Sequence, residues 1–186
     1  MVRVATRTHP AREIQVWVQD EARFGQQGTL TRVWAPRGSR AVAVKQTEYE
    51  YVYALGAACP ATGQTVGLLS PTLHTAVVNL FLAQMSAELH AGVHALLVWD
   101  QAGYHKSHDL RVPENITLVY LPPYSPELNP MENLWHYLRS HYWSNRRYSG
   151  YRALLDAATD AWQRVCLDPV KVTGITNYPY LRACTN

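Results

Sequence analysis

Along this chain the apolar positions change regime part-way, and the change predicts the architecture. The first third reads as strands. Residues 14–19 are rich in β-branched and aromatic side chains and end at Asp20; after glycines 25 and 28, residues 29–34 resume strand character until Ala35-Pro36-Arg37-Gly38 stops them. Residues 49–58 form a long apolar and aromatic run, and residues 64–69 continue it beyond the Ala61-Thr62-Gly63 turn. From residue 74 to 90 the period becomes helical, with Val77, Val78, Leu80, Phe81, Leu82, Met85 and Leu89 recurring at spacings of three and four. Residues 94–99 are continuously apolar, as buried parallel strands are, with Asp100 at their carboxyl end. A short helix is expected over residues 106–111 and another buried strand over 116–121. Pro122-Pro123-Tyr124-Ser125-Pro126 forbids regular structure. Asn129, Pro130 and Glu132 then fit the N-cap, first-turn and N3 positions of a helix running to about Tyr142, and a further helix over 151–165 closes the core. Strands first, then alternating helix and strand, predicts an α/β domain with a mixed β-sheet flanked by helices.

The 186 residues, 47% of them hydrophobic, suit one domain over 1–186 with a full core. No run approaches the roughly 18 apolar residues of a membrane span, so a soluble, cytoplasmic protein with no membrane partner is expected. Cys59, Cys166 and Cys184 are far apart and in no metal-binding spacing, which predicts ordinary reduced thiols. A net charge of +3 decides little, but its distribution is informative. Residues 22–47 carry Arg23, Arg32, Arg37, Arg40 and Lys45 without an acid. Residues 133–155, also free of acids, interleave Arg139, Arg146, Arg147 and Arg152 with Trp135, Tyr137, Tyr142, Trp143, Tyr148 and Tyr151. Such mixtures suit phosphates and unpaired bases, though scattered surface charge gives the same composition.

The candidate chemistry lies in three acids. Ligand sites in α/β sheets sit beyond the carboxyl ends of parallel strands, so Asp20 and Asp100 meet if their strands are neighbours. Glu132, at a helix start, would complete an all-oxygen set for hard divalent cations. Two such ions about 4 Å apart activate the attacking oxygen and stabilise the leaving oxygen of an in-line phosphoryl transfer. Other readings stay open at this level. Asp20 and Asp100 could be turn residues, and Glu132 could be the N3 member of a capping box with Asn129. Glu127 is a rival for the third position and Asp109 for the second. Glu21 should face the opposite side of the sheet from Asp20. His90 with His94, and His105 with His108, have spacings that suit zinc, but no Glu or Cys completes either set.

Three motifs, Gln19-Asp20-Glu21 with Arg23-Phe24-Gly25, Trp99-Asp100-Gln101-Ala102-Gly103-Tyr104-His105-Lys106-Ser107, and the block from Leu121 through Asn129-Pro130-Met131-Glu132 to Trp135, resemble the DDE transposases of the mariner-like superfamily. The match is nearest to the bacterial insertion-sequence branch. The resemblance implies a ribonuclease-H-like fold in which Asp20, Asp100 and Glu132 are catalytic and hold two Mg2+ ions, with Mn2+ able to substitute. It implies cleavage at transposon ends, joining to target DNA, and a homodimer in synapsis. A ribonuclease-H-like nuclease without strand transfer, and an inactive DNA-binding remnant, are the alternatives. Arg23, His105, Lys106, Ser107, Arg139, Arg146 and Arg147 are the candidate DNA contacts, with Trp135, His136, Arg139 and Trp143 lining a channel while Leu134 and Leu138 face the core. No helix-turn-helix pattern precedes Ile14, so a catalytic domain alone is expected, with that region supplied by a separate reading frame or lost. The interval from Asp100 to Glu132 is somewhat shorter than the family's usual one.

Overall fold

A central strand, unusually long for its polar content, organises the molecule. The computed structural model describes residues 2–27, 32, 34–39, 42 and 46–182. A short helix α1 (Val2–Thr8) leads into β1 (Glu13–Gly25), followed by β2 (Tyr51–Ala58), β3 (Thr65–Ser70), α2 (Thr75–Glu88), β4 (Val93–Trp99) and β5 (Ile116–Tyr120). The chain ends in α3 (Met131–Leu138), α4 (Tyr151–Cys166), α5 (Pro169–Ile175) and α6 (Pro179–Arg182). The five strands form one mixed sheet in the order β3-β2-β1-β4-β5. β1 is antiparallel to β2 and parallel to β4, which is parallel to β5. This is the ribonuclease-H-like architecture that the motifs implied.

Alternation along β1 sends its side chains into two cores. Val18, Ala22 and Phe24 pack with Met131, Leu134, Trp135 and Leu138 of α3 and with Leu154, Ala158 and Ala161 of α4. Trp17, Leu55, Leu97 and Trp99 pack on the other face against Val78, Phe81, Leu82 and Met85 of α2. All seven residues of β4 are buried, because strands flank it and helices cover both faces. Two glycines set how closely the helices approach. A Cβ on Gly56 would lie 2.9 Å from Met131, Trp135 and Trp162 side-chain atoms, and one on Gly67 would lie 2.5 Å from the Trp162 ring. Gly56 and Gly67 are register partners on β2 and β3, so together they form a seat for the tryptophans.

Several sequence expectations change. β1 does not stop at Asp20 but continues to Gly25, because β2 pairs with Asp20 through Gly25 and satisfies the backbone of this polar stretch. The strand expected over residues 29–34 falls largely outside the described residues, as do Arg40, Lys45 and Cys184. The short helix expected at 106–111 is instead a 3-10 turn, Gly103–Lys106. Its start is pinned by the Ala102 N–H, which donates to Asp100 Oδ1 at 2.9 Å. The α3 helix ends at Leu138 and passes into a π-helical turn, Arg139–Trp143. There the Arg139 carbonyl accepts both the N–H and the hydroxyl of Ser144, at 2.9 and 2.6 Å. Cys59 and Cys166 are buried free thiols. Among the described residues no helix is long and apolar enough to cross a membrane.

Candidate active site

Asp20 and Asp100 come together through strand register. Val18 pairs with Val98 as the last parallel pair between β1 and β4, and each aspartate stands two residues further on, on the same face of the sheet. Asp20 remains inside the antiparallel ladder opposite Gly56, whereas Asp100 leaves the end of β4. Glu132 reaches them because one buried side chain fastens α3 to β1. The Asn129 amide donates to the Gln19 carbonyl at 2.9 Å, and its Oδ1 accepts the Met131 N–H at 3.1 Å. A capping box would need the Asn129 N–H for Glu132, but that N–H already donates to the Pro126 carbonyl at 2.8 Å. Glu132 is thereby released to the site. Asp20, Asp100 and Glu132 line one cleft of about 440 Å³, walled by Gln101, Lys106 and the proline block from Leu121 to Pro126.

The charges in the cleft are unbalanced. Burial raises the Asp20 carboxyl well above the ordinary carboxylate range, and the negative charges of Glu132, Glu21 and Asp100 push it in the same direction. Asp100 is held below that range, chiefly by its hydrogen bond with His105. His105 lies beneath the site, 1% exposed, with Nδ1 2.7 Å from Asp100 Oδ1 and Nε2 3.0 Å from Glu21 Oε1. Its ring stacks on Trp99 at 4.0 Å between centroids. Burial alone would lower its pKa, but the hydrogen bonds and charges of Asp100 and Glu21 outweigh burial and raise it to about 9. Glu21 also accepts from Tyr104 Oη at 3.1 Å and Gln19 Nε2 at 2.8 Å. Of this chain of contacts only Asp100 lines the cleft.

The other candidates divide. Lys106 is exposed on the cleft wall and donates to Gln101 Oε1 at 2.6 Å, while Gln101 donates to the Leu121 carbonyl at 2.7 Å. Ser107 accepts the Asp109 N–H at 3.2 Å outside the cleft. His105 is corrected: a buried imidazole with both nitrogens engaged does not face a phosphate, and it positions Asp100 instead. Trp135 and Trp143 are corrected too, since they are 0% and 3% exposed and sit in the core. Trp143 stacks on Phe24 at 4.6 Å, and Trp135 lies 6.1 Å from Trp162. Arg23 and Arg139 line one small pocket with Trp143 and Ser144. Arg146 and Arg147 are exposed, the latter beside Glu48 and Glu50. Glu127 and Asp109 are exposed and away from the cleft, so neither rival joins the site. His94 is committed to Thr117 Oγ1 at 2.8 Å and stacks on His9, which does not favour a zinc role.

The donor set fits hard divalent cations by its chemistry: three carboxylates, no thiol, and an imidazole already engaged. The crowding of negative charge around buried Asp20 is the kind of imbalance that a cation relieves. The three acids share the cleft walls without closing onto one point, and among the described residues no three His, Cys, Asp or Glu groups reach the spacing of a metal centre.

A family model for the DDE superfamily endonuclease matches residues 15–155, a span containing all three acids. This chain belongs to that family. The chain is 40% identical over 125 residues to the uncharacterized protein y4pE/y4sA of Sinorhizobium fredii (strain NBRC 101917 / NGR234), covering 67% of this chain and 93% of that one. Its fold is similar to that of the Mos1 mariner paired end complex with Mn, at a TM-score of 0.65 and 15% identity. A pre-cleavage Mos1 transpososome gives 0.66 and 14% identity. The chain aligns over 99% and 98% of its length with these two, spanning 59% and 57% of the Mos1 chains.

Proposed function

We propose that this endonuclease is the catalytic domain of a transposase of the bacterial insertion-sequence branch, cutting DNA at the element's ends and joining the freed 3′-hydroxyl to target DNA. The observation that carries the reading is the arrival of Asp20, Asp100 and Glu132 in one cleft from two parallel strands and a helix start. Two Mg2+ ions, or Mn2+ in their place, bound by these carboxylates would supply an activated nucleophile and a stabilised leaving oxygen. Asp20, buried and crowded by the charges of Glu132 and Asp100, would be one of the carboxylates that hold them. His105 and Glu21 hold Asp100 in orientation, and Asn129 fixes the approach of Glu132. Lys106 offers a positive charge on the cleft wall to the phosphate backbone, and Arg23, Arg139, Arg146 and Arg147 extend that attraction along the DNA. Synapsis of two ends by a homodimer, with sequence reading supplied by a helix-turn-helix region, would complete the reaction.

The test is product analysis. With Mg2+ and a labelled duplex, joined products are expected from the complete assembly. The Asp100→Asn variant should retain the fold by circular dichroism and lose cleavage by orders of magnitude. Cleavage undiminished in that variant removes the assignment. Nicked strands without joining would favour a nuclease.

A further inference from the structure

Tyr124 is the most exposed tyrosine-sized surface on the cleft wall, and nothing in the chemistry above uses it. It is 101% exposed, and its hydroxyl and ring have no hydrogen-bond or ring partner among the described residues. Its backbone is left-handed, at φ 56°, a region that disfavours a bulky side chain. Prolines at 122, 123 and 126 hold the turn on both sides, and Ser125 Oγ donates to the Pro123 carbonyl at 3.3 Å. Glycine would adopt this backbone without strain and expose no apolar ring, so folding alone favours another residue here. An aromatic ring held at such a cost beside three carboxylates is suited to a ligand that presents a flat π-face.

We infer that Tyr124 is a stacking platform for an unpaired nucleobase next to the phosphate over Asp20, Asp100 and Glu132. The inference rests on the proposed DNA chemistry of that cleft and adds a contact to it. A base in a paired duplex shows no free face to the cleft lip. A base freed by fraying or nicking does, and stacking accepts any base, because every base has a π-face. Lys106 lines the same cleft, so the cleft offers a cation to the phosphate backbone as well as a ring to a base.

The experiment uses the full chain carrying Asp100→Asn, which leaves binding to be read without cleavage. The probe is a duplex of arbitrary sequence with a short single-stranded overhang bearing 2-aminopurine at its first base, compared with the blunt duplex. Protein should quench the 2-aminopurine fluorescence. Adding Tyr124→Gly should abolish the quenching and weaken overhang binding about tenfold, the loss of one stacked base, while blunt-duplex binding stays unchanged. Thermal stability should hold or rise in that variant, because the left-handed backbone is relieved. Tyr124→Phe should behave as wild type and Tyr124→Leu as the glycine variant. Wild-type quenching and affinity in Tyr124→Gly overturn the inference, as does a leucine variant equal to phenylalanine, which would mean generic apolar contact. Tyr124→Gly that binds both probes equally weakly and melts at a lower temperature also overturns it, assigning the residue to the fold. In parallel, metal-dependent cleavage by the chain with native Asp100 separates the two readings: cleavage without Tyr124-dependent stacking defeats this inference alone, and no cleavage defeats the reading beneath it.

Discussion

Replacing His105 by asparagine isolates the buried imidazole's coupling to two carboxylates. The imidazole bridges two carboxylates of different exposure, Glu21 with a side chain 5% exposed and Asp100 at 51%. Its pKa rises from 6.5 to about 9 on folding, so the charged ring binds its partners more strongly than the neutral one. A raised folded value gives stability that is complete below the unfolded pKa and disappears as pH climbs through the folded one. The window is therefore about pH 6.5 to 9, and a rise of this size is worth about 3 kcal/mol across it. Asp100 sees the same contact from the other side, so its lowered pKa is not added again. Urea unfolding at several pH values across this window would measure it. Wild type should lose about 3 kcal/mol more than His105→Asn as pH rises. Thiol ionisation in the unfolded chain also lowers stability at high pH, but it is common to both proteins and cancels in the difference. Parallel stability curves for the two would refute the bridge.

Three further outcomes follow from packing and charge. Asp20→Asn should raise the melting temperature at pH 7 in chelator while abolishing cleavage, because burial and three neighbouring acids work against the charge. Since its folded pKa is raised, wild type should recover part of that difference as pH falls; a lower melting temperature for the variant would contradict the argument. Gly56→Ala should cost about 1–3 kcal/mol by overpacking, and should impair cleavage more than an equally destabilising change on α2, since it lifts Met131 beside Glu132. Equal effects in denaturation and cleavage assays would separate the seat from the site. Changing Arg146 and Arg147 together to alanine should weaken binding to all duplex sequences and reduce the salt slope by about 2, as measured by anisotropy against salt. An unaltered slope places both arginines off the DNA.

What could be read from the sequence was what short-range pattern determines. The unbroken apolar run before Asp100 became a strand buried at every position, and the helical period before it became α2 nearly as expected. Asp20 and Asp100 met because both strands are parallel neighbours. The chain beyond Asp20 was not legible as strand, because Gln19, Asp20, Glu21 and Arg23 are polar and their ladder partner lies across a long insertion. The aromatic residues of α3 misled for a related reason. Whether Trp135 faces water or core depends on Gly56 and on Trp162 of α4, neither of which local spacing contains. His105 likewise reads as one more polar residue in a turn until Glu21, far away in sequence, supplies its second partner. A helix start at this point was legible, but the N-cap is Pro130 and not Asn129, which puts Glu132 one position earlier in the helix than expected, and the grip of Asn129 on Gln19 was not legible.

That grip has a consequence for when the site exists during folding. The Asn129 amide and the Gln19 carbonyl are 110 residues apart in the chain, and their bond closes a loop spanning most of the sheet. Long-range closures of this kind form late, after local elements have paid their entropy elsewhere. A partly folded chain thus has its aspartates on separate segments and its glutamate on an undocked helix. Refolding followed by fluorescence and by cleavage would then show activity returning with the final cooperative phase.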